Sequence, residues 1–243
     1  MIDKITNRFN IQLTAAFIFL TAYIPVLQAQ ENANIRVMKK YAVYKRSLTN
    51  DSLKKMVELK TIVPGLRYDL RYATNNNFMK EQLYKNGDAT FLRLPAAEAL
   101  SKVQHELNEK GLSLKVWDAY RPYSVTVRMW ELIKDDRYVA DPKKGSGHNR
   151  GTAIDLTIIN NTTGAELNMG TDFDNFSDTA QPGFTHLPEE ILQNRLLLKN
   201  LMEKYGFKVL ETEWWHFYWS KAADFELMDI DFKKFKKQRI DNR

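Results

Sequence analysis

The chain contains no cysteine. That excludes a disulfide framework, and it excludes a lipid-modified cysteine as an N-terminal anchor. Histidine is nearly as scarce, with four in 243 residues, so a site built on imidazole has few candidates. No internal repeat and no Gly/Ser-rich linker interrupts the sequence, which argues for one domain. Charge of one sign is also limited. The formal net charge is +6, spread along the chain except in the tail Lys233-Lys234-Phe235-Lys236-Lys237-Gln238-Arg239. Such a tail can meet anionic surfaces, but it reads here as a solvated end, and no nucleic-acid partner is expected.

What is present suits a globular protein: 44% of the residues are hydrophobic and 12% aromatic. The long apolar run lies at the start. Lys4 and Arg8 precede a charge-free stretch over residues 11–27, and Ala29 offers a small residue for cleavage. The run is short for a membrane span and is interrupted by Pro25. Residues 1–29 therefore read as a cleaved signal peptide rather than a retained anchor. The expectation is an exported, periplasmic protein without stable membrane insertion. Residues 30–55 are polar and lack a clean period, so they read as an arm lying on a domain that fills residues 56–243.

Within that domain, residues 59–72 alternate loosely and should be extended around the Pro64-Gly65 turn. Pro95 opens a helix with Leu100, Val103 and Leu107 at helical spacing, and Gly111 closes it. Residues 112–117 alternate as a strand, 124–134 suit a helix, and 153–159 form an apolar strand. Pro188 opens the strongest helix, which carries Ile191, Leu192, Leu196, Leu201 and Met202 and ends at Gly206. Residues 207–210 and 215–219 suit an antiparallel hairpin. Helices mixed with hairpin-like strands predict an α+β fold, a central antiparallel sheet flanked by helices.

Two segments carry the chemistry. Ser146-Gly147-His148-Asn149-Arg150-Gly151-Thr152-Ala153-Ile154-Asp155 and Glu213-Trp214-Trp215-His216 offer two imidazoles and a carboxylate as metal ligands. Two histidines and one carboxylate leave a tetrahedral position open for water, the mark of a catalytic zinc site, and Glu213 is then the natural base. Asp155 stands among apolar residues, which is costly unless it binds a metal or pairs with an arginine, for which Arg150 is a candidate. His216 begins an aromatic stretch, and residues three apart on a regular strand face opposite sides. For both to serve one site, Glu213 must lie in the turn before the strand. Arg121, at a strand end before Pro122, suits either an oxyanion or an ion pair with Asp118. His105 and His186 read as structural.

These motifs, together with Asp118-Ala119-Tyr120-Arg121-Pro122 and Tyr68-Asp69-Leu70-Arg71-Tyr72-Ala73-Thr74-Asn75-Asn76-Asn77-Phe78, resemble those of the D-alanyl-D-alanine dipeptidases. That family comprises zinc enzymes related to bacterial D,D-carboxypeptidases and to the hedgehog fold. The resemblance runs from about Val63 to Trp219. It implies one zinc per chain on His148, Asp155 and His216, with Glu213 as general base and Arg121 at the oxyanion. It also implies that Asp174 receives the substrate ammonium with help from Tyr72, and that Ser146 lies near the substrate. The substrate would be the free D-Ala-D-Ala dipeptide. The alternatives are a D,D-carboxypeptidase acting on peptidoglycan stems and a non-catalytic hedgehog-like zinc-binding module. Gly147 stands where the family has a serine, and residues 175–186 depart from the family pattern.

Overall fold

The computed structural model describes residues 35–85 and 87–241, so the expected signal peptide lies outside the described residues. In chain order the elements are β1 (Val37–Met38), α1 (Tyr41–Asn50), β2 (Met56–Glu58), β3 (Arg67–Tyr68), β4 (Phe91–Arg93) and α2 (Leu94–Asn108). They continue with β5 (Leu112–Asp118), α3 (Tyr123–Leu132), α4 (Gly147–Arg150), β6 (Ala153–Asn160) and α5 (Glu189–Lys204). The chain closes with β7 (Phe207–Leu210), β8 (Glu213–Trp219), β9 (Leu227–Met228) and α6 (Phe232–Asp241). The architecture is α+β. No helix among the described residues is long and apolar enough to cross a membrane.

A five-stranded sheet in the order β3-β5-β6-β8-β7 organises the domain. The sequence led us to expect an antiparallel sheet. Four of its strands are, but edge strand β3 pairs parallel with β5, so the sheet is mixed. β6 lies at its centre and is buried from Ala153 through Ile159. A strand covered on both faces reads as a continuous apolar run, and Ile154, Leu156, Ile158 and Ile159 supply one. Fully burying a side chain such as Phe217 contributes about 1.5–3 kcal/mol.

Helix α2 lies against this sheet with Leu100, Val103 and Leu107 inward, as its spacing predicts. Its Gln104 is buried and accepts a hydrogen bond from Leu114 N at 2.9 Å, which ties the helix to the start of β5. Helix α5 follows Pro188 and buries Ile191, Leu198, Leu201 and Met202. Leu196, expected on that face, is 46% exposed. One residue is a 100° step around a helix, and the inward position beside Leu196 belongs to Arg195.

Two other expectations change. Residues 59–72 are extended only at β3, with 3₁₀ turns at Leu59–Thr61 and Arg71–Ala73. From residue 59 to residue 70 the buried residues are Leu59, Val63, Leu66 and Leu70. Their spacing of three or four suits successive turns rather than a strand. Residues 30–55, read as a polar arm, contain β1 and α1 in their described part. β1 pairs parallel with β9. In α1, Tyr44 is wholly buried, its hydroxyl accepts from Met56 N at 2.7 Å, and its ring packs 5.2 Å from that of Phe235 in α6.

Candidate active site

Strand register places the central carboxylates and one imidazole in a row. Asp118 on β5 pairs with Asp155 on β6, and Asp155 pairs with His216 on β8. Directly paired residues share a face of a sheet, so three strands contribute to one line of side chains. The short helix α4 brings His148 to the same place. Ser146 caps it: its hydroxyl accepts from His148 N at 3.1 Å, while its own N–H donates to Asn149 Oδ1 at 3.1 Å. The amide of Asn149 then bonds Arg121 O and Thr126 Oγ1, fixing α4 against the segment that carries Arg121. Gly147 sits so close to β6 that a Cβ there would lie 2.8 Å from Ala153 Cβ, which accounts for glycine at this point.

The three expected metal donors converge. His148 Nδ1 donates to Ala119 O at 2.6 Å, and since a carbonyl only accepts, Nε2 keeps its lone pair for the site. That Nε2 lies 3.2 Å from His216 Nδ1 and 3.4 Å from Asp155 Oδ2, while His216 Nδ1 is 2.9 Å from Asp155 Oδ1. Metal–ligand bonds of about 2.0–2.1 Å at tetrahedral angles place neighbouring donors roughly 3.3 Å apart. The donor set and its spacing fit a metal of the zinc kind. His148, Asp155 and His216 are also the group among the described residues that can hold an ion. Burial lowers the pKa of His216 and favours the neutral, ligating imidazole. Burial works against ionised Asp155, but His148 and His216 outweigh it and hold its pKa below the ordinary range.

Glu213 is the first residue of β8, just past the Glu211-Thr212 turn. The ladder with β7 breaks here: Val209 pairs with Phe217, but Leu210 pairs with Glu213. Three residues of β8 bulge between these pairs, which defeats the strand's alternation and turns Glu213 toward His216. Its Oε2 lies 3.9 Å from His216 Nδ1. Burial, reinforced by the charges of Asp155 and Asp174, raises its pKa well above the usual carboxylate value.

Arg121 forms the expected ion pair with Asp118 and also reaches the site. Its Nε and Nη2 each approach Asp118 Oδ2 at 2.8 Å, and Nη2 also lies 3.7 Å from Asp155 Oδ2 at the site. Tyr84 donates to the other oxygen of Asp118 and locks that pair, a contribution the sequence did not reveal. Arg150, the alternative partner for Asp155, donates instead to Phe225 O. Asp174 Oδ1 accepts from Tyr72 at 2.8 Å, while its buried Oδ2 has no hydrogen-bond partner among the described residues. Burial, with the charge of Asp155, pushes its pKa up to about 7, against the opposing Tyr72 bond. All eight expected site residues line one cavity of about 270 Å³, and Phe78, Arg137, Tyr138 and Trp215 add to its walls. His105 is surface-exposed beside Glu109, and His186 is exposed near Phe184.

Known proteins share this chain's sequence pattern. A solved LD-carboxypeptidase structure is 20% identical, with a TM-score of 0.39, covering 70% of this chain and 71% of that one. The D-alanyl-D-alanine dipeptidase of Escherichia coli is 36% identical over 180 residues, 74% of this chain and 92% of the relative. That of Enterococcus faecium is 32% identical over 184 residues, 65% of this chain and 88% of the relative. The profile of the M15 peptidases described as D-ala-D-ala dipeptidase matches residues 52–238. The chain is a peptidase of that M15 D-Ala-D-Ala dipeptidase family.

Proposed function

We propose that the protein is an exported zinc dipeptidase that hydrolyses free D-alanyl-D-alanine to two D-alanines. The observation that carries the reading is the buried Glu213 carboxylate 3.9 Å from His216 Nδ1, beside three convergent metal donors. His148, Asp155 and His216 would hold a metal that would supply Lewis acidity and make a water at the site more acidic. Glu213, whose burial makes it a stronger base than an ordinary carboxylate, takes that water's proton and returns it to the leaving amine. Arg121 is steered by Asp118 toward the cavity, where it meets the negative charge developing on the carbonyl oxygen. The unpartnered Oδ2 of Asp174 faces a ligand ammonium, and Tyr72 orients the carboxylate. Ser146, committed by its oxygen to the cap of α4, keeps its hydroxyl hydrogen for a substrate acceptor. Export rests on the apolar run and small cleavage residue of the sequence.

The Asp174 site separates this reading from a D,D-carboxypeptidase. A dipeptide puts its free ammonium beside Asp174, whereas a longer stem puts an amide there and leaves a buried carboxylate unpaired. A non-catalytic binding module has no use for Glu213 or Arg121. Kinetics on D-Ala-D-Ala, its N-acetyl derivative and a pentapeptide stem test the reading. Turnover of the free dipeptide alone is expected. Preference for the pentapeptide would transfer the protein to the carboxypeptidases, and inactivity on all three with zinc bound would leave the binding module.

A further inference from the structure

We propose that Arg195 is a positioning residue for substrate recognition: it ties both ends of the 169–181 loop to helix α5 and thereby sets where Asp174 stands. The inference rests on the proposed ammonium role of Asp174. Arg195 is buried, and its hydrogen bonds all go to carbonyl oxygens of this loop. Nε donates to Met169 O at 2.7 Å, Nη2 to Thr179 O at 2.9 Å and Nη1 to Gln181 O at 3.2 Å. No carboxylate pairs with it among the described residues.

An unpaired buried guanidinium is costly unless its donors are met. A leucine would fill an inward helix position without that cost, so the arginine points to a need at the loop ends. The loop has reason to be held. Asp174 has φ +60°, a left-handed conformation that costs a non-glycine residue about 1–3 kcal/mol and persists only under surrounding constraint. Gly170 approaches α5 closely: a Cβ there would lie 3.0 Å from Ile191 Cγ2 and 3.5 Å from Arg195 Nη2.

The same guanidinium lies 5.8 Å from the Trp214 ring, and Trp214 Nε1 donates to Thr171 Oγ1 at 2.8 Å. Trp214 follows Glu213 in β8. The loop is therefore fixed to the strand that holds the base as well as to the helix. Between its ends, Phe173 packs against Trp117, Trp215 and Tyr72, and Asp174 accepts from Tyr72. The distance between the ammonium site and the base thus depends on Arg195, which touches neither.

The test compares R195M, R195K and D174N in the zinc-loaded, full-length protein. R195M should raise KM for D-Ala-D-Ala about tenfold or more with kcat little changed, because it misplaces a binding group rather than the base. It should erode the preference for the free over the N-acetylated dipeptide by a similar factor. Amide hydrogen exchange should rise in residues 170–180 and not in β6, and zinc content should stay at one per chain. R195K, which retains a donor, should fall between R195M and wild type. D174N losing the preference while R195M keeps it would overturn the Arg195 inference alone. Loss of kcat and zinc together with KM in both R195M and R195K would also overturn it, since the arginine would then be general support. D174N keeping the preference would overturn the ammonium reading, and this inference with it.

Discussion

Glu213 is buried and Asp174 half-buried near Asp155, and the proposed function gives them different tasks. Burial, with the charges of Asp155 and Asp174 beside it, keeps the proton affinity of Glu213 high. E213Q should therefore retain zinc while kcat falls about 10²–10⁴-fold, the range for removal of a general base, as read by stopped assays beside metal analysis. Near-normal turnover by zinc-loaded E213Q would remove the base from this position.

Asp174 carries a measurable stability signature. Its pKa is pushed from 3.8 up to about 7, so the fold favours its protonated form. That contribution is fully present below pH 3.8 and is lost as pH rises through about 7. D174N, which cannot ionise but still accepts from Tyr72, should gain on wild type between pH 4 and pH 8. The gain should be on the order of 1–3 kcal/mol, below the ceiling of about 4 that the full shift implies. Urea midpoints of metal-free protein at the two pH values measure it, and an equal difference at both would contradict it.

At the scale of elements, the legible parts were those with a simple period. α2 and α5 followed from apolar residues at helical spacing opened by Pro95 and Pro188, β5 from its alternation and β6 from its apolar content. The α+β class followed from their order. Other parts depended on contacts a period does not encode. The bulge in β8 arises from its mismatch with β7, so the sequence placed Glu213 in a turn although it is a strand residue. α1 is anchored chiefly by one residue, Tyr44, and no pattern accompanies a single anchor. Arg195 carries no signal in the sequence, because its partners are backbone carbonyls. The candidate site was legible because its residues cluster in short motifs, whereas the supports Tyr84 and Arg195 lie outside them.

Gly147 belongs to this scale, because it sets how closely α4 approaches β6. The family resemblance has serine there, but a Cβ would come within 2.8 Å of Ala153 Cβ, which has no flexible end to move aside. G147S should lower stability by about 1–3 kcal/mol, the usual cost of overpacking. It should also weaken zinc binding, since α4 carries His148. Thermal unfolding and competitive zinc titration measure the two effects. Unchanged values in both would show that the α4–β6 contact has slack.

In the molecule as a whole, the sheet supplies a rigid row from Asp118 to His216, and α4 and the 169–181 loop close over it. The centre gathers three buried carboxyl groups, Asp118, Asp155 and Glu213, and the half-buried Asp174, against Arg121 and two imidazoles. A divalent cation on His148, Asp155 and His216 would offset this excess and tie β6, β8 and α4 together. Chelation should therefore lower Tm by several degrees, since ligand at 100 times its Kd adds about 2.7 kcal/mol to the stability of the folded state. Differential scanning calorimetry with chelator, then with zinc restored, reads this. A Tm indifferent to both would place the metal elsewhere.

Whether this cluster becomes a dipeptidase on holding zinc is read by the D-alanine released from D-alanyl-D-alanine as zinc is titrated into metal-stripped protein. No turnover is expected without metal, then a rise that saturates at one zinc per chain, and no such rise when His216 is replaced by alanine. Equal turnover by stripped and zinc-loaded protein, or a full rise in H216A, would contradict the zinc dipeptidase reading.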